Sequence, residues 1–303
     1  VMAIKPIKLK YPLIITPFTG ASGCFGYGAE YGWADLKGLG GVFSKGITLK
    51  PRKGNPANRL HETPAGMLNS IGLENPGIDG FIEKKLPELL SLKVPIFANI
   101  AGDTVDDYIE LANRLLPVKD KLAGLELDLS CPHVEKGLDV GLNPKQLHET
   151  ISAIKKETPF YVVAKLTPNI TNILDIAEPA LDAGADALSL TNTFSAMAIH
   201  PMTKKPRLGS VSGGLSGPAI RPIVLRIVHQ VYRAFKPVIF ASGGICSGWD
   251  AAEFLLAGAT AFQIGSVLFR DPDSFGRISA EFDKYLEMMK VKEYLELRGA
   301  VQV

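Results

Sequence analysis

The sequence predicts an α/β fold, a (β/α)8 TIM barrel with long loops at the C-terminal face of its strands. Three observations carry this. Eight short apolar runs alternate with longer amphipathic stretches, as parallel strands covered by helices do. The chain has 303 residues, room for a barrel of about 250 residues with additions. Two connections, 46–80 and 192–217, are too long for plain crossovers, and long loops in a compact domain usually carry function. A doubly wound open sheet is the runner-up. No sharp boundary interrupts the alternation, so 1–303 is expected to be one domain.

The strand runs lie near 12–16 (PLIIT), 41–45 (GVFSK), 94–99 (VPIFAN), 124–130 (GLELDLS), 160–166 (FYVVAKL), 186–191 (DALSLT), 237–242 (PVIFAS) and 260–265 (TAFQIG). Helical patterns fall between them. Ile220, Ile223, Val224, Ile227, Val228, Val231 and Tyr232 keep the 3- and 4-residue spacing of one apolar stripe behind Gly217 and Pro218. Ser247 and Asp250 form a capping-box-like pair opening a helix that stops at Gly258. Asp271-Pro272 is expected to cap a last helix carrying Phe275, Ile278, Phe282, Tyr285 and Met289.

Composition excludes several classes. Hydrophobic residues make up 46% and charged residues 21%, with 33 basic against 31 acidic side chains. That balance fits a globular protein and favours neither nucleic acid nor a membrane surface. The N-terminal VMAIKPIKLKYP has no apolar core of a signal peptide, and no apolar run reaches the about 18 residues needed to span a bilayer. Cys24, Cys131 and Cys246 are dispersed and odd in number, which points to a reducing, cytoplasmic setting. His61, His133, His148, His200 and His229 show no metal-binding spacing, so no metal is expected. No GxSxG elbow supports a serine triad.

In a barrel the chemistry stands just past the C-terminal strand ends. The residues there are Ala21-Ser22, Lys45-Gly46, Asn99, Asp128 through Cys131, Lys165, Thr191-Asn192-Thr193, Gly243-Gly244 and Gly265-Ser266. Glycines after the last two strands let backbone N–H groups close on a phosphate. No GxGxxG follows a strand, which argues against a dinucleotide site. Lys165, ending the apolar VVAKL, is costly to desolvate without a partner. It can form a Schiff base or set a fixed charge beside a cofactor. Lys45 raises the same question, with a surface lysine as the plain alternative. Cys131 is either a small buried apolar group or a base, since a thiol near pKa ~8.5 accepts a proton with little penalty.

The segments GASGCFGYGAEYG, GNPANRLHETPAGMLNSIGLENPG, LDLSCPHVEKG, SLTNTF, GGLSGPAIRPIVLR and ASGGICSGWDAAEFLLAGATAFQIGS together resemble class 1 dihydroorotate dehydrogenases, from about residue 10 to 290. GGLSGPAI resembles class 1B, the catalytic subunit of an enzyme with an iron–sulfur and FAD partner protein. The resemblance implies FMN, its phosphate on Gly243, Gly244, Gly265 and Ser266, and Lys165 along one edge of the flavin ring. Ala21, Ser22, Lys45, Gly46, Asn99, Asp128, Thr191 and Gly217 complete the implied cofactor site. It implies a substrate carboxylate on Asn69, Ser70, Ile71, Gly72 and Leu73, aided by Lys45, with the ring on Asp128, His133, Asn192 and Thr193. Cys131 matches the base that takes a proton from C5 while C6 gives a hydride to flavin N5. The implied partners are a dihydroorotate- or orotate-like molecule, an iron–sulfur/FAD subunit leading to NAD, and a second copy in a homodimeric core.

Two positions depart from the family pattern. Asp128 and His133 stand where asparagines are expected. Asparagine donates and accepts, whereas an ionised aspartate only accepts. The Cys-Pro-His spelling resembles dihydropyrimidine dehydrogenases, so an uncharged dihydropyrimidine is the alternative substrate.

Overall fold

The computed structural model describes residues 7–8, 13–28, 30, 32, 34–129 and 140–302. Eight parallel strands close into a barrel. They are β1 (Phe18–Gly20), β2 (Gly41–Phe43), β3 (Ile96–Ile100), β4 (Gly124–Asp128), β5 (Val162–Leu166), β6 (Ala187–Leu190), β7 (Ile239–Ala241) and β8 (Ala261–Ile264). They pair in chain order, and β8 closes on β1 with Gln263 opposite Thr19. The crossovers carry helices: α1 (77–90), α2 (Val105–Leu115), α3 (Pro144–Glu157), α4 (Leu174–Asp182), α5 (Arg221–Phe235), α6 (Gly248–Ala257) and, after β8, α7 (Ser274–Met289). Among the described residues none of these helices is long and apolar enough to cross a membrane.

Three expectations need correction. PLIIT is not a barrel strand: Leu13–Ile14 pairs antiparallel with Ile7–Lys8. Its apolarity reflects burial of Ile14 outside the barrel wall, and the wall strand is the shorter Phe18–Gly20. The N-cap of α7 is Asp273, not Asp271; the Asp271 carboxylate instead accepts from Arg277 at 2.6 Å. Ile223 and Met289 sit on the exposed sides of their helices, while the other residues of both stripes are buried or partly buried. Ser247 caps α6 as expected, its hydroxyl accepting from the Asp250 N–H at 3.1 Å.

The two long connections pair with each other. Leu60–Thr63, Gly66–Asn69, Gly213–Ser216 and Phe194–Ala196 form a four-stranded antiparallel sheet. Both connections leave the C-terminal ends of strands, so this sheet stands on the rim where chemistry is expected.

The barrel interior is layered, because alternate residues of a strand face the same side. Phe43 and Phe97 stack at 4.4 Å, and Phe240 meets both edge-on at 5.1 and 5.7 Å. One step toward the C-terminal ends the layer turns polar: Asn99, Glu126, Ser189 and Gln263 are all fully buried there.

Candidate active site

Lys165 sits on β5 in register with Asp128 on β4 and Ser189 on β6. The residue is only 6% exposed. The Nζ donates to the Ser22 hydroxyl at 2.6 Å and lies 4.0 Å from Glu126 Oε2. The buried charge is therefore paired, as desolvation requires.

Glu126 accepts three hydrogen bonds from three strands. Asn99 Nδ2 donates to Oε2 at 2.6 Å, while Ser189 Oγ and Gln263 Nε2 donate to Oε1 at 2.5 and 3.0 Å. A carboxylate only accepts, so the Asn99 amide must turn its NH2 toward it. That orients Asn99 Oδ1 the other way, where this buried oxygen finds no protein partner among the described residues. A Cβ added at Gly46 would stand 3.2 Å from that oxygen. Lys45, just before it, is tied to the β1 loop by its N–H to Gly26 O at 2.9 Å. Its Nζ is 3.8 Å from Glu74.

Of the glycines expected to hold phosphate, Gly244 abuts Gly217. Gly244 has φ +78°, and a Cβ there would meet Gly217 O at 2.6 Å; a Cβ on Gly217, at φ +96°, would meet Gly66 Cα at 2.8 Å. Only glycine allows these backbones to approach so closely. Gly243 packs on Val224, and Gly265 faces Ala21 and Cys24. Ser266 opens the short turn after Gly265. Thr191 joins the cluster by donating its N–H to Ser242 O at 3.0 Å.

The expected substrate residues lie on the rim sheet and the adjoining strand ends. Asn69 Nδ2 donates to Gly214 O at 3.1 Å, and a Cβ on Gly214 would collide with Thr193 Oγ1. Ser70 Oγ accepts from Asn55 Nδ2 and Ser210 Oγ, each at 2.7 Å. Ile71 O accepts from Asn55 N at 3.0 Å. Gly72 and Leu73 turn with φ of 73° and 51°, and buried Asn75 pins the turn by donating to Leu73 O at 2.6 Å. Asn192 Nδ2 donates to Asp128 Oδ1 at 3.2 Å. Tyr108 OH holds the Asp128 carbonyl at 2.6 Å. Cys131 and His133 lie outside the described residues.

Sequence reasoning missed Glu126, Ser189 and Gln263. Their signal was present: each is a polar residue set within an otherwise apolar strand, in LEL, LSL and FQI. Among the described residues no cluster of three or more His, Cys, Asp or Glu is arranged to hold a metal.

The family model for dihydroorotate dehydrogenase matches residues 7–286. The dihydroorotate dehydrogenase B (NAD(+)) catalytic subunit of Geobacter metallireducens is 46% identical over 302 residues, 99% of this chain and 97% of that one. Proteins of the same name from Maridesulfovibrio salexigens and Desulforudis audaxviator are 45% and 44% identical, each covering at least 98% of this chain and 96% of their own length. With the closed parallel barrel and its polar rim, these matches show that the chain belongs to the dihydroorotate dehydrogenase family, an enzyme of the class 1B catalytic-subunit type.

Proposed function

We propose that residues 1–303 form one FMN-binding domain that oxidises dihydroorotate to orotate in pyrimidine biosynthesis. The observation that carries the reading is the buried Lys165–Glu126–Asn99 cluster at the rim, with an acceptor oxygen of Asn99 left for a ligand donor. A flavin ring fits that chemistry: its ring N–H is a donor for Asn99 Oδ1, and its electron-poor edge gains from the Lys165 charge. The crowded glycines Gly217, Gly243, Gly244 and Gly265, with Ser266, suit a phosphate approached by backbone N–H groups. Ala21, Ser22, Lys45, Gly46, Asp128 and Thr191 border the same site.

When bound, FMN supplies the two-electron acceptor for the hydride from C6. The residues do the rest. The turn Asn69–Leu73 and Lys45 hold the carboxylate, and Asn192, Thr193, Asp128 and His133 orient the ring. Cys131 takes the C5 proton. Lys165 keeps a positive charge fixed where negative charge accumulates, with no reorganisation needed during the reaction. A separate iron–sulfur/FAD subunit carries electrons on to NAD, two copies of this chain form the core, and the enzyme works in the cytoplasm.

The test is anaerobic flavin bleaching. Dihydroorotate is expected to bleach the visible absorbance of the purified protein rapidly, and dihydrouracil to leave it unchanged. The reverse order would assign an uncharged dihydropyrimidine, the reading favoured by Asp128 and His133.

Asp128 gives a second prediction. At an effective dielectric of ~20, two unit charges ~6 Å apart repel by about 3 kcal/mol. Asp128→Asn keeps an oxygen to accept from Asn192 and removes the charge. Orotate should therefore bind up to about 100-fold more tightly in the variant, read by flavin absorbance during titration. Equal or weaker binding would mean that Asp128 is neutralised in place or needed by the ring.

A further inference from the structure

Glu126 is a fully buried carboxylate. Leaving a charge at that depth is costly, and an apolar residue on β4 would avoid the cost. The barrel instead surrounds it with donors from three strands and an ammonium from a fourth. Asn99 comes from β3, Ser189 from β6, Gln263 from β8 and Lys165 from β5. Gln263 Nε2 also donates to Ser189 Oγ at 3.0 Å, so the two donors to Oε1 brace each other.

The consequences run outward from this carboxylate. Oε2 faces both Asn99 Nδ2 and Lys165 Nζ, at 2.6 and 4.0 Å. A hydrogen bond to an ionised acceptor is short and directional. It fixes which end of the Asn99 amide points at the rim, and an amide turned over would offer N–H there in place of oxygen. The same oxygen supplies the counter-charge for Lys165, which donates onward to Ser22 at 2.6 Å.

We infer that Glu126 is a positioning residue for the cofactor site: its carboxylate orients the Asn99 amide so that an acceptor faces the flavin ring, and it anchors Lys165 beside that ring. The inference rests on the FMN reading. It makes the three residues one unit read through Oε2, with Glu126 itself touching neither cofactor nor substrate.

A charge-and-amide exchange tests it. Glu126→Gln puts an NH2 among donors, so one hydrogen bond is lost and Lys165 loses its counter-charge. FMN added to flavin-free protein should bind about 10–100-fold more weakly, the loss expected when a buried hydrogen-bonding group is left unpaired. Asn99→Asp alone sets two carboxylates face to face and should weaken binding similarly. The double variant Glu126→Gln/Asn99→Asp restores the pair with its polarity reversed. The new amide at 126 donates to a carboxylate at 99, which still offers an oxygen to the ring, and one negative charge again stands near Lys165. Its FMN affinity should return to within about 5-fold of the original, a coupling that independent sites do not show. With FMN saturating, the KM for dihydroorotate should stay unchanged in Glu126→Gln while the flavin reduction rate falls.

Losses that simply multiply in the double variant would overturn the inference, as would unchanged FMN affinity in Glu126→Gln. If Glu126→Gln does not fold, Glu126→Asp serves instead. It keeps the charge but shortens the reach to Asn99, and should weaken FMN about 10-fold by straining one hydrogen bond; unchanged affinity there also overturns the inference. Extraction of the bound cofactor from the unaltered protein separates the two failures. Absence of FMN there would sink the FMN reading itself, whereas FMN present and indifferent to Glu126 sinks only the positioning role.

Discussion

Lys165→Met is expected to slow flavin reduction by dihydroorotate about 10²–10³-fold, the usual effect of removing a preorganised electrostatic group from a closed site. Methionine keeps the length and unbranched shape of the stem, so little packing volume is lost. What is lost is the ammonium that donates to Ser22 and faces Glu126. The Glu126 carboxylate then stays fully buried with its three hydrogen bonds and no counter-charge. Breaking one partner out of a buried pair typically costs about 3–5 kcal/mol. The urea midpoint of the flavin-free variant should therefore fall together with the rate. Lys165→Arg should not restore the rate, because a planar guanidinium cannot occupy the place of a compact ammonium. Stopped-flow reduction under anaerobic conditions measures the first effect and equilibrium unfolding the second. A rate close to that of the unaltered enzyme would remove Lys165 from the chemistry. An unchanged midpoint would show that Glu126 finds its compensation elsewhere.

Seven of the eight barrel strands were legible because a parallel strand covered on both faces reads as an apolar run bounded by turns. The exception is informative. Phe18–Gly20 has three residues, one of them Thr19 facing the interior opposite Gln263, so it leaves little hydrophobic trace. The neighbouring PLIIT is more apolar because Ile14 is buried below the wall. The rim sheet was not legible at all. Gly66–Asn69 and Gly213–Ser216 pair across more than a hundred residues of chain, and neither segment alternates polar with apolar residues. Their register is set by close backbone approach at Gly66, Gly213 and Gly217, which no local pattern announces.

The candidate site was legible to the extent that it lies at strand ends. Ser22, Lys165 and Asn99 meet directly or through Glu126, and Asp128 meets Asn192. The supporting residues were passed over because they sit within strands, where a polar side chain reads as noise in an apolar run. Aligned by barrel register, the polar positions coincide: Asn99 stands opposite Glu126, and Lys165 opposite Ser189. A layer of hydrogen-bonding groups beneath a rim of charged ones is what a site needs if its outer residues are to hold one orientation.

Cys131→Ser is expected to slow flavin reduction at neutral pH by about 10²–10⁴-fold, the range in which a positioned base contributes. Activity should also move toward alkaline pH. A thiol has an ordinary pKa near ~8.5 and a serine hydroxyl is a far weaker acid, so the oxygen needs help to take up the C5 proton at neutral pH. FMN affinity should be retained, because Cys131 is assigned to the substrate proton and not to holding the cofactor. Cys24 provides the internal contrast. Its thiol is near Gly265, where a Cβ would approach Sγ to 3.5 Å, so proximity alone does not disqualify it. Burial, however, pushes the Cys24 pKa up to about 11, against a smaller lowering by the Lys165 charge. A thiol with that pKa stays protonated throughout the neutral range and cannot accept a proton there. Cys24→Ser should accordingly leave the position of the pH profile where it is, while Cys131→Ser displaces it. Paired pH–rate profiles of the two variants, recorded as anaerobic flavin reduction at saturating dihydroorotate, decide between the thiols. A displaced profile in Cys24→Ser with an undisplaced one in Cys131→Ser would transfer the role of base to Cys24, and a displaced profile in neither would take the proton away from cysteine altogether.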